Sequence, residues 1–381
     1  MKSAWSVVMV SASFHPYVGG AEKQALELSV ALRRRGHEVV VLTRGLLGLA
    51  RRETVRGVPV VRLPAWGRGL ANAVSFMVSL LIYLLTRARS ADAIHVHLAG
   101  SPALAALAAG RLLGKRVIIK LGGGRGVGEL SGSAGTWSGR LKLRLLSWLK
   151  PRFVAVSRDQ ADELKAYGIH GADLSFLPNG VDTDLYRPAS SPQEKIRLRA
   201  HWGWPAGLCF LYVGRLSSEK RLGPFLEAWS ALPQSSGKGS FVALIGTGPE
   251  DEALKRQARE HAPGSVLILP PTDQIHLAYA AADVFILPSI SEGLSNALLE
   301  AMSSGLAVLA SRVGGTAEVV REGEAGLLFA PLDVEELKLR IEAILSDPSR
   351  LGAWGAKARA VALAYSIDHV AESYEALYRE S

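Results

Sequence analysis

The 381 residues contain a single cysteine, Cys209. No disulfide can form within such a chain, which excludes a disulfide-framed scaffold and fits a reducing, cytoplasmic compartment. Cys209 lies in the apolar run Leu208-Cys209-Phe210-Leu211-Tyr212-Val213 and reads as a small buried hydrophobe. Apolar runs of bilayer-spanning length are also missing: the longest helical candidate, residues 70–85, falls short of the ~20 residues a span requires. The start, Met1-Lys2-Ser3-Ala4-Trp5, runs into a short apolar strand without the small-residue site at which a leader is cleaved. Acidic residues are scarce in the first half. Residues 1–187 hold 26 Lys and Arg against 12 Asp and Glu, and the rest hold 18 against 23. A basic half suits an anionic partner, phosphates or an anionic membrane face. No RNA- or DNA-binding signature accompanies the charge, so nucleic acid is not expected.

What is present is a packed globular composition, 48% hydrophobic and 21% charged. Single cores stop growing at roughly 250–300 residues, so two domains are expected. Short runs rich in Val and Ile at residues 7–10, 39–42, 58–62, 93–97, 117–121 and 153–156 predict strands. So do residues 208–213, 241–245, 266–269, 284–287 and 306–310 in the second half. Their continuous apolar character suits parallel strands covered on both faces. Helical patterns fall at 22–35, 220–232, 249–261, 294–304 and 335–345. This alternation predicts an α/β protein with two doubly wound, Rossmann-like sheets. The break follows Pro178-Asn179-Gly180, with Arg187-Pro188-Ala189-Ser190-Ser191-Pro192 as linker. The expected domains are 1–187 and 188–362, with a helix in 363–381 crossing back to the first.

Three motifs carry chemistry. Pro16-Tyr17-Val18-Gly19-Gly20 joins the first strand to the first helix. Its glycines either let a diphosphate approach the helix N-terminus or simply serve a tight turn, and they do not form the dinucleotide fingerprint Gly-x-Gly-x-x-Gly. Val213-Gly214-Arg215-Leu216-Ser217-Ser218-Glu219-Lys220 follows the first strand of the second half. There Arg215 and Lys220 can grip a diphosphate and stabilise it as it leaves. Glu292-Gly293-Leu294-Ser295-Asn296-Ala297-Leu298-Leu299-Glu300 follows a later strand. One of its carboxylates suits sugar hydroxyls, the other ribose hydroxyls, and a Glu within so apolar a helix requires a partner.

With His95-Val96-His97, Pro178-Asn179-Gly180-Val181-Asp182, Gly246-Thr247-Gly248-Pro249 and Gly314-Gly315-Thr316-Ala317-Glu318, these motifs resemble the family-4 retaining glycosyltransferases of GT-B fold over essentially the whole chain. The resemblance implies a nucleotide-diphosphate sugar as donor, a UDP-sugar rather than a GDP-sugar, bound in a cleft between two Rossmann-like domains. It implies that Gly19 and Gly20 touch the donor phosphates and that Arg215 and Lys220 bind the diphosphate. Glu292 would hold the sugar and Glu300 the ribose, with the diphosphate near the amides of the helix start at Leu294, Ser295 and Asn296, and Gly246 and Gly293 also at the donor. The base would lie against the loop near Leu269-Pro270-Pro271, and His97 near the reacting sugar, with His95 on the same face as an alternative. No cofactor and no metal are implied. Asp182-Thr183-Asp184 looks like a metal motif but lies beside the linker, and the histidine pair has no third ligand near it in sequence. A nucleotide-sugar epimerase and a non-catalytic sugar-nucleotide-binding protein are the alternatives.

The acceptor side is expected in the basic half. Lys120 and Arg125 bracket the glycine-rich Leu121-Gly122-Gly123-Gly124, which suits either a phosphate cradle or a flexible loop. Residues 136–152 place Trp137, Leu141, Leu145 and Trp148 at helical spacing among Arg140, Lys142, Arg144, Lys150 and Arg152. That pattern fits an anionic membrane surface or an ordinary amphipathic helix. The expectation is a peripheral enzyme on the inner face of the cell membrane, adding sugar to a glycan or lipid-linked acceptor.

Overall fold

The computed structural model describes residues 4–17, 19–171, 173–232 and 239–380. Val18 of the first glycine motif lies outside the described residues. The chain forms two compact units, Met1–Gly180 with Ile367–Ser381, and Val181–Ser366.

The first unit is built on an eight-stranded sheet. Its strands are β1 (Ser6–Ser11), β2 (Glu38–Arg44), β3 (Arg52–Val55), β4 (Val58–Leu63), β5 (Ala93–His97), β6 (Arg116–Lys120), β7 (Arg152–Ala155) and β8 (Asp173–Phe176). Their order is β3-β4-β2-β1-β5-β6-β7-β8, and only β3 runs antiparallel to its neighbour. The helices are α1 (Gly20–Arg34), α2 (Gly69–Arg87), α3 (Pro102–Leu113), α4 (Glu129–Ala134), α5 (Trp137–Leu149) and α6 (Arg158–Ala166). One sheet face buries Val8, Val10, Ile94 and Val96 under Phe76, Leu80 and Leu84 of α2 and the apolar sides of α3 and α5. The central strands are largely apolar because both their faces are covered.

The second unit carries six parallel strands in the order β11-β10-β9-β12-β13-β14. They are β9 (Cys209–Val213), β10 (Phe241–Ile245), β11 (Val266–Leu269), β12 (Val284–Leu287), β13 (Ala307–Ser311) and β14 (Gly326–Phe329). Around them stand α7 (Pro192–His201), α8 (Leu222–Ser230), α9 (Asp251–His261), α10 (Ile275–Ala281), α11 (Asn296–Ser303), α12 (Gly314–Val319), α13 (Val334–Ser346) and α14 (Leu351–Leu363). The expected helix over 220–232 is interrupted. A short 3-10 turn at Ser218–Lys220 ends at Arg221 in the left-handed region, φ 52°. The helix restarts at Leu222 with Pro224 in its first turn, where a missing N–H costs nothing.

The last helix, α15 (Ile367–Arg379), belongs to the first unit. Its Tyr374 and Tyr378 pack with Val7, Met9 and Ile118 on the sheet face opposite α2, beside Leu28 and Leu32 of α1. The division lies at Gly180–Val181 rather than after Arg187, for a local reason. The Gln24 amide both donates to the Gly180 carbonyl, 2.8 Å, and accepts its N–H, 2.9 Å. Val181 instead donates to the Tyr365 carbonyl, 2.9 Å, on the far side of the division. The proline-rich linker already belongs to the second unit, where the Ser191 hydroxyl caps α7.

Candidate active site

In the second unit the strand order reverses between β9 and β12. Open α/β sheets bind ligands beyond the carboxyl ends of the strands at such a switch point. The loops leaving β9 and β12 there carry Arg215–Lys220 and Ser289–Glu292. Gly246 follows β10, Leu269 ends β11, and Gly314 follows β13, so the second-unit residues expected at the donor lie at the carboxyl ends of one sheet.

The centre of this end of the sheet is an ion pair. The Lys220 ammonium donates to Glu292 Oε1 at 2.6 Å, and the Ser289 hydroxyl donates to the same oxygen at 2.7 Å. Ser289 escaped the sequence reading, although it directly follows the strand-ending Leu287-Pro288. The two loops are also joined through the backbone, Ile290 N–H to the Glu219 carbonyl, 2.9 Å. Glu219 accepts the Ser217 hydroxyl at 2.5 Å. Burial pushes the Glu219 carboxyl up, but this hydroxyl, Lys220 and Arg215 hold it below its ordinary range. Arg215 itself is exposed, and its carbonyl accepts the Tyr212 hydroxyl, 2.8 Å. Burial, then the Glu292 and Glu219 carboxylates, raise that phenol well above its usual value.

Glycines let these loops approach. A Cβ on Gly314, φ 40°, would lie 1.9 Å from the Glu292 carbonyl, and Gly315 N–H donates to the Gly293 carbonyl at 2.6 Å. A Cβ on Gly246 would lie 1.8 Å from the Gly214 carbonyl. Gly246 thus packs one donor-side loop on another. The Ser295 side chain caps α11 by accepting the Leu298 N–H, which leaves Gly293 and Leu294 in the turn before the helix. Glu300 is 4% exposed within α11. Tyr279 of α10 lies within its electrostatic reach: burial and then the Glu300 carboxylate drive that phenol up.

The first unit has its own switch point, between β1 and β5. Gly19 and Gly20 follow β1 and open α1 there, but that helix start already holds an anion. The Glu22 carboxylate folds back until a Cβ on Gly19 would meet its Oε2 at 2.3 Å. Burial raises the Glu22 carboxyl, opposed by hydrogen bonds from its own amide and that of Gly19.

His97 ends β5 in register with Ser11 of β1 and Lys120 of β6. His95 and His97 stack at 4.6 Å, and His95 Nδ1 lies 2.8 Å from the Tyr378 hydroxyl of α15. His95 therefore points into the α15 interface. Burial, then Lys120, lowers the His97 pKa to about 3, so the ring is neutral throughout the physiological range. Lys120 is itself buried, with its ammonium 5.7 Å from the Tyr374 ring centre, and burial lowers its pKa to about 7.

Several amides of the glycine-rich loop after β6 are engaged within the unit rather than open to a phosphate. Glu129 Oε1 accepts Gly122 N–H and Ala99 N–H, both 3.1 Å, Glu163 accepts Gly126 N–H, 3.1 Å, and Gly128 N–H turns back to Gly124. Arg125 sits in this loop, exposed. Lys142, expected on the basic surface of α5, is instead buried, donating to the Ala99 carbonyl at 2.7 Å and to the Ser133 hydroxyl. Its turn of α5 faces the sheet with Leu143 and Leu146. Asp182 also has a structural duty, since its Oδ1 accepts the N–H of Asp184 and of Leu185 at 3.2 and 3.0 Å.

Residues 18–185 match the family described as Glycosyltransferase Family 4, and residues 197–361 match Glycosyl transferases group 1. A sulfoquinovosyl transferase of Arabidopsis thaliana is 36% identical over 49% of this chain, a stretch that is 36% of that protein's length. A glycogen synthase of Mycobacterium tuberculosis is 28% identical over 90% of this chain and 86% of its own. In fold, an Anabaena protein, HepE, in complex with UDP and glucose superposes with a TM-score of 0.81 at 19% identity, covering 99% of this chain and 100% of its own.

Proposed function

The chain belongs to the family-4-type glycosyltransferases of GT-B fold, and we propose that it moves a sugar from a UDP-sugar to a glycan or lipid-linked acceptor in cell-surface polysaccharide synthesis, with retention and without a metal. The observation that carries this reading is the Lys220–Glu292–Ser289 array at the β9/β12 switch point, with Arg215 on the adjoining loop. Two cations beside that crevice suit a diphosphate, and a carboxylate fixed by two donors suits sugar hydroxyls. The HepE complex with UDP and glucose favours uridine as the base.

In this mechanism the acceptor hydroxyl attacks the anomeric carbon on the face that the diphosphate leaves. The bond from that carbon to the phosphate oxygen breaks as the new glycosidic bond forms, and the departing oxygen takes the acceptor's proton. The protein contributes orientation and charge neutralisation rather than a nucleophile. Arg215 with Lys220 takes the place a divalent cation fills elsewhere.

The test is a panel of UDP-, GDP- and ADP-sugars, read by thermal shift and by release of nucleoside diphosphate. Stabilisation by one UDP-sugar, with turnover that survives excess EDTA and disappears in Glu292→Gln, is expected. Isomerisation of the donor without acceptor would support an epimerase, and binding with no turnover a non-catalytic protein. The length shared with a glycogen synthase gives a soluble glucan acceptor specific support. Against it, Trp137 and Trp148 of α5 are 75% and 73% exposed among Arg140 and Arg144, which favours a peripheral enzyme at the cytoplasmic face of an anionic membrane.

A further inference from the structure

Helix α2 is the other unusual surface of the first unit. No charged residue occurs in it before Arg87. Only Phe76, Leu80 and Leu84 are buried, while Leu70, Val74, Val78 and Ile82 are 68%, 49%, 51% and 56% exposed. A helix of an ordinary soluble unit turns charged residues to water, and such a stripe marks an interaction site. By length and composition α2 could cross a membrane, but its three buried residues fasten it to the sheet core. It therefore lies along the surface of its unit.

We infer that the α2 stripe inserts into the acyl boundary of an anionic lipid surface, together with the tryptophans of α5. This extends the peripheral-membrane reading above and rests on it. Three observations select lipid as the occupant. First, the stripe is framed by cations at both ends: Arg68 before it, and Arg87 and Arg89 after it, all exposed. Second, α2, α3 and α5 contain no Asp or Glu at all. Two copies pairing through α2 would bring guanidinium groups against guanidinium groups in either orientation, with no acid on these helices to meet them. Lipid phosphates supply the missing anions. Third, the stripe continues into the α5 surface. Helix α3 packs against both α2 and α5, and its Arg111 lies over the Trp148 ring, 6.0 Å from its centre. Trp66, 66% exposed, heads the stripe, held to α2 by the Ser75 hydroxyl, which accepts its N–H at 2.8 Å.

The buried Cys209 makes a direct test possible, because Val78→Cys then carries the accessible thiol. An environment-sensitive fluorophore on that thiol should shift to the blue with vesicles of equimolar phosphatidylglycerol and phosphatidylcholine, and not with phosphatidylcholine alone. The same label on Ile196→Cys, an exposed position of the second unit, should not respond. Val74→Ser/Val78→Ser/Ile82→Ser, checked for its fold by circular dichroism, should bind the anionic vesicles at least about tenfold more weakly. Vesicle binding with a water-exposed label at position 78 overturns the α2 inference and leaves the α5 reading standing. No vesicle binding overturns both. A blue shift without lipid that rises with protein concentration makes the stripe a contact between copies and overturns the inference. Transfer to a soluble acceptor is measured separately, so failure of the enzymatic reading cannot be confused with any of these outcomes.

Discussion

At the scale of single residues, the charges around β9 and β12 are committed to one another before any donor arrives. Glu292 is held by Lys220 and Ser289, so in the proposed mechanism a donor sugar would meet an oriented carboxylate, and preorganisation of this kind is where most catalytic stabilisation originates. Replacing Arg215 or Lys220 by Ala should lower kcat/KM by ~10²–10³ with the circular dichroism spectrum unchanged; near-normal turnover in both variants would remove the diphosphate clamp from the mechanism. Lys120 leads to a second expectation, this time about pH. Its ammonium is buried with His95, His97 and Tyr374 around it, and its pKa is about 7. The unfolded chain holds this proton up to pH ~10.4, so between the two values the unfolded state binds more protons and stability rises with pH. Below pH 7 both states are charged and the burial penalty is complete. Lys120→Met should therefore stabilise the protein at pH 6–7, by a few kcal/mol at most, with the gain fading toward pH 10 in urea titrations. The same variant should also lose transfer where Lys120 meets an acceptor anion, which a parallel assay of turnover checks.

At the scale of elements, the loops are held by their glycines, and two positions separate packing from backbone conformation. Gly314→Ala would drive a methyl into the Glu292 carbonyl and move the loop that carries the site. It should cost more than about 2 kcal/mol and reduce turnover sharply. Gly323 also has positive φ, 78°, but nothing within 4 Å. Gly323→Ala should cost about 1 kcal/mol and spare kcat, and equal losses in the two would show that Gly314 acts through φ alone. Which elements the sequence disclosed follows from burial. Central strands such as β9 and β10 are continuous apolar runs and were legible, whereas β3 (Arg-Glu-Thr-Val) and β8 (Asp-Leu-Ser-Phe) are edge strands with half-exposed, polar patterns. The Arg215, Lys220 and Glu292 positions were legible because their spacing around a strand end is local. Ser289 beside Glu292, Tyr279 beside Glu300 and Glu22 folded over Gly19 depend on neighbours that only the fold brings together. For Lys142 the pattern misled, since a lysine on a basic helix is buried, and for α2 the apolar composition alone left open that much of the helix keeps its surface in water.

At the scale of the whole molecule, charge is divided along the chain, with the excess of Lys and Arg in residues 1–187 and the excess of Asp and Glu after them. Basic side chains near an anionic bilayer contribute roughly 1 kcal/mol each, and apolar side chains contribute by insertion, so the two contributions can be told apart by salt. The Debye length falls from about 10 Å at 0.1 M to about 3 Å at 1 M, which screens the first and leaves the second. Binding to vesicles rich in phosphatidylglycerol should therefore weaken steeply with NaCl and level off at a residual set by apolar contact, instead of vanishing. Charge reversal isolates the first contribution, but only at positions whose side chains face water. Arg140→Glu/Arg144→Glu qualifies; Lys142 does not, because its ammonium is bonded beneath the helix to Ala99 and Ser133, and changing it would remove those bonds rather than recharge the surface. The double variant should show a reduced preference for anionic over neutral vesicles, the remainder resting on Arg68, Arg87 and Arg89, and keep its rate on a soluble acceptor analogue. Vesicle sedimentation across a salt series, with that rate measured in parallel, decides the matter. If the wild-type protein treats anionic and neutral vesicles alike at low salt, the basic half serves anionic substrates alone, and the acceptor is a soluble glycan rather than a lipid-linked one.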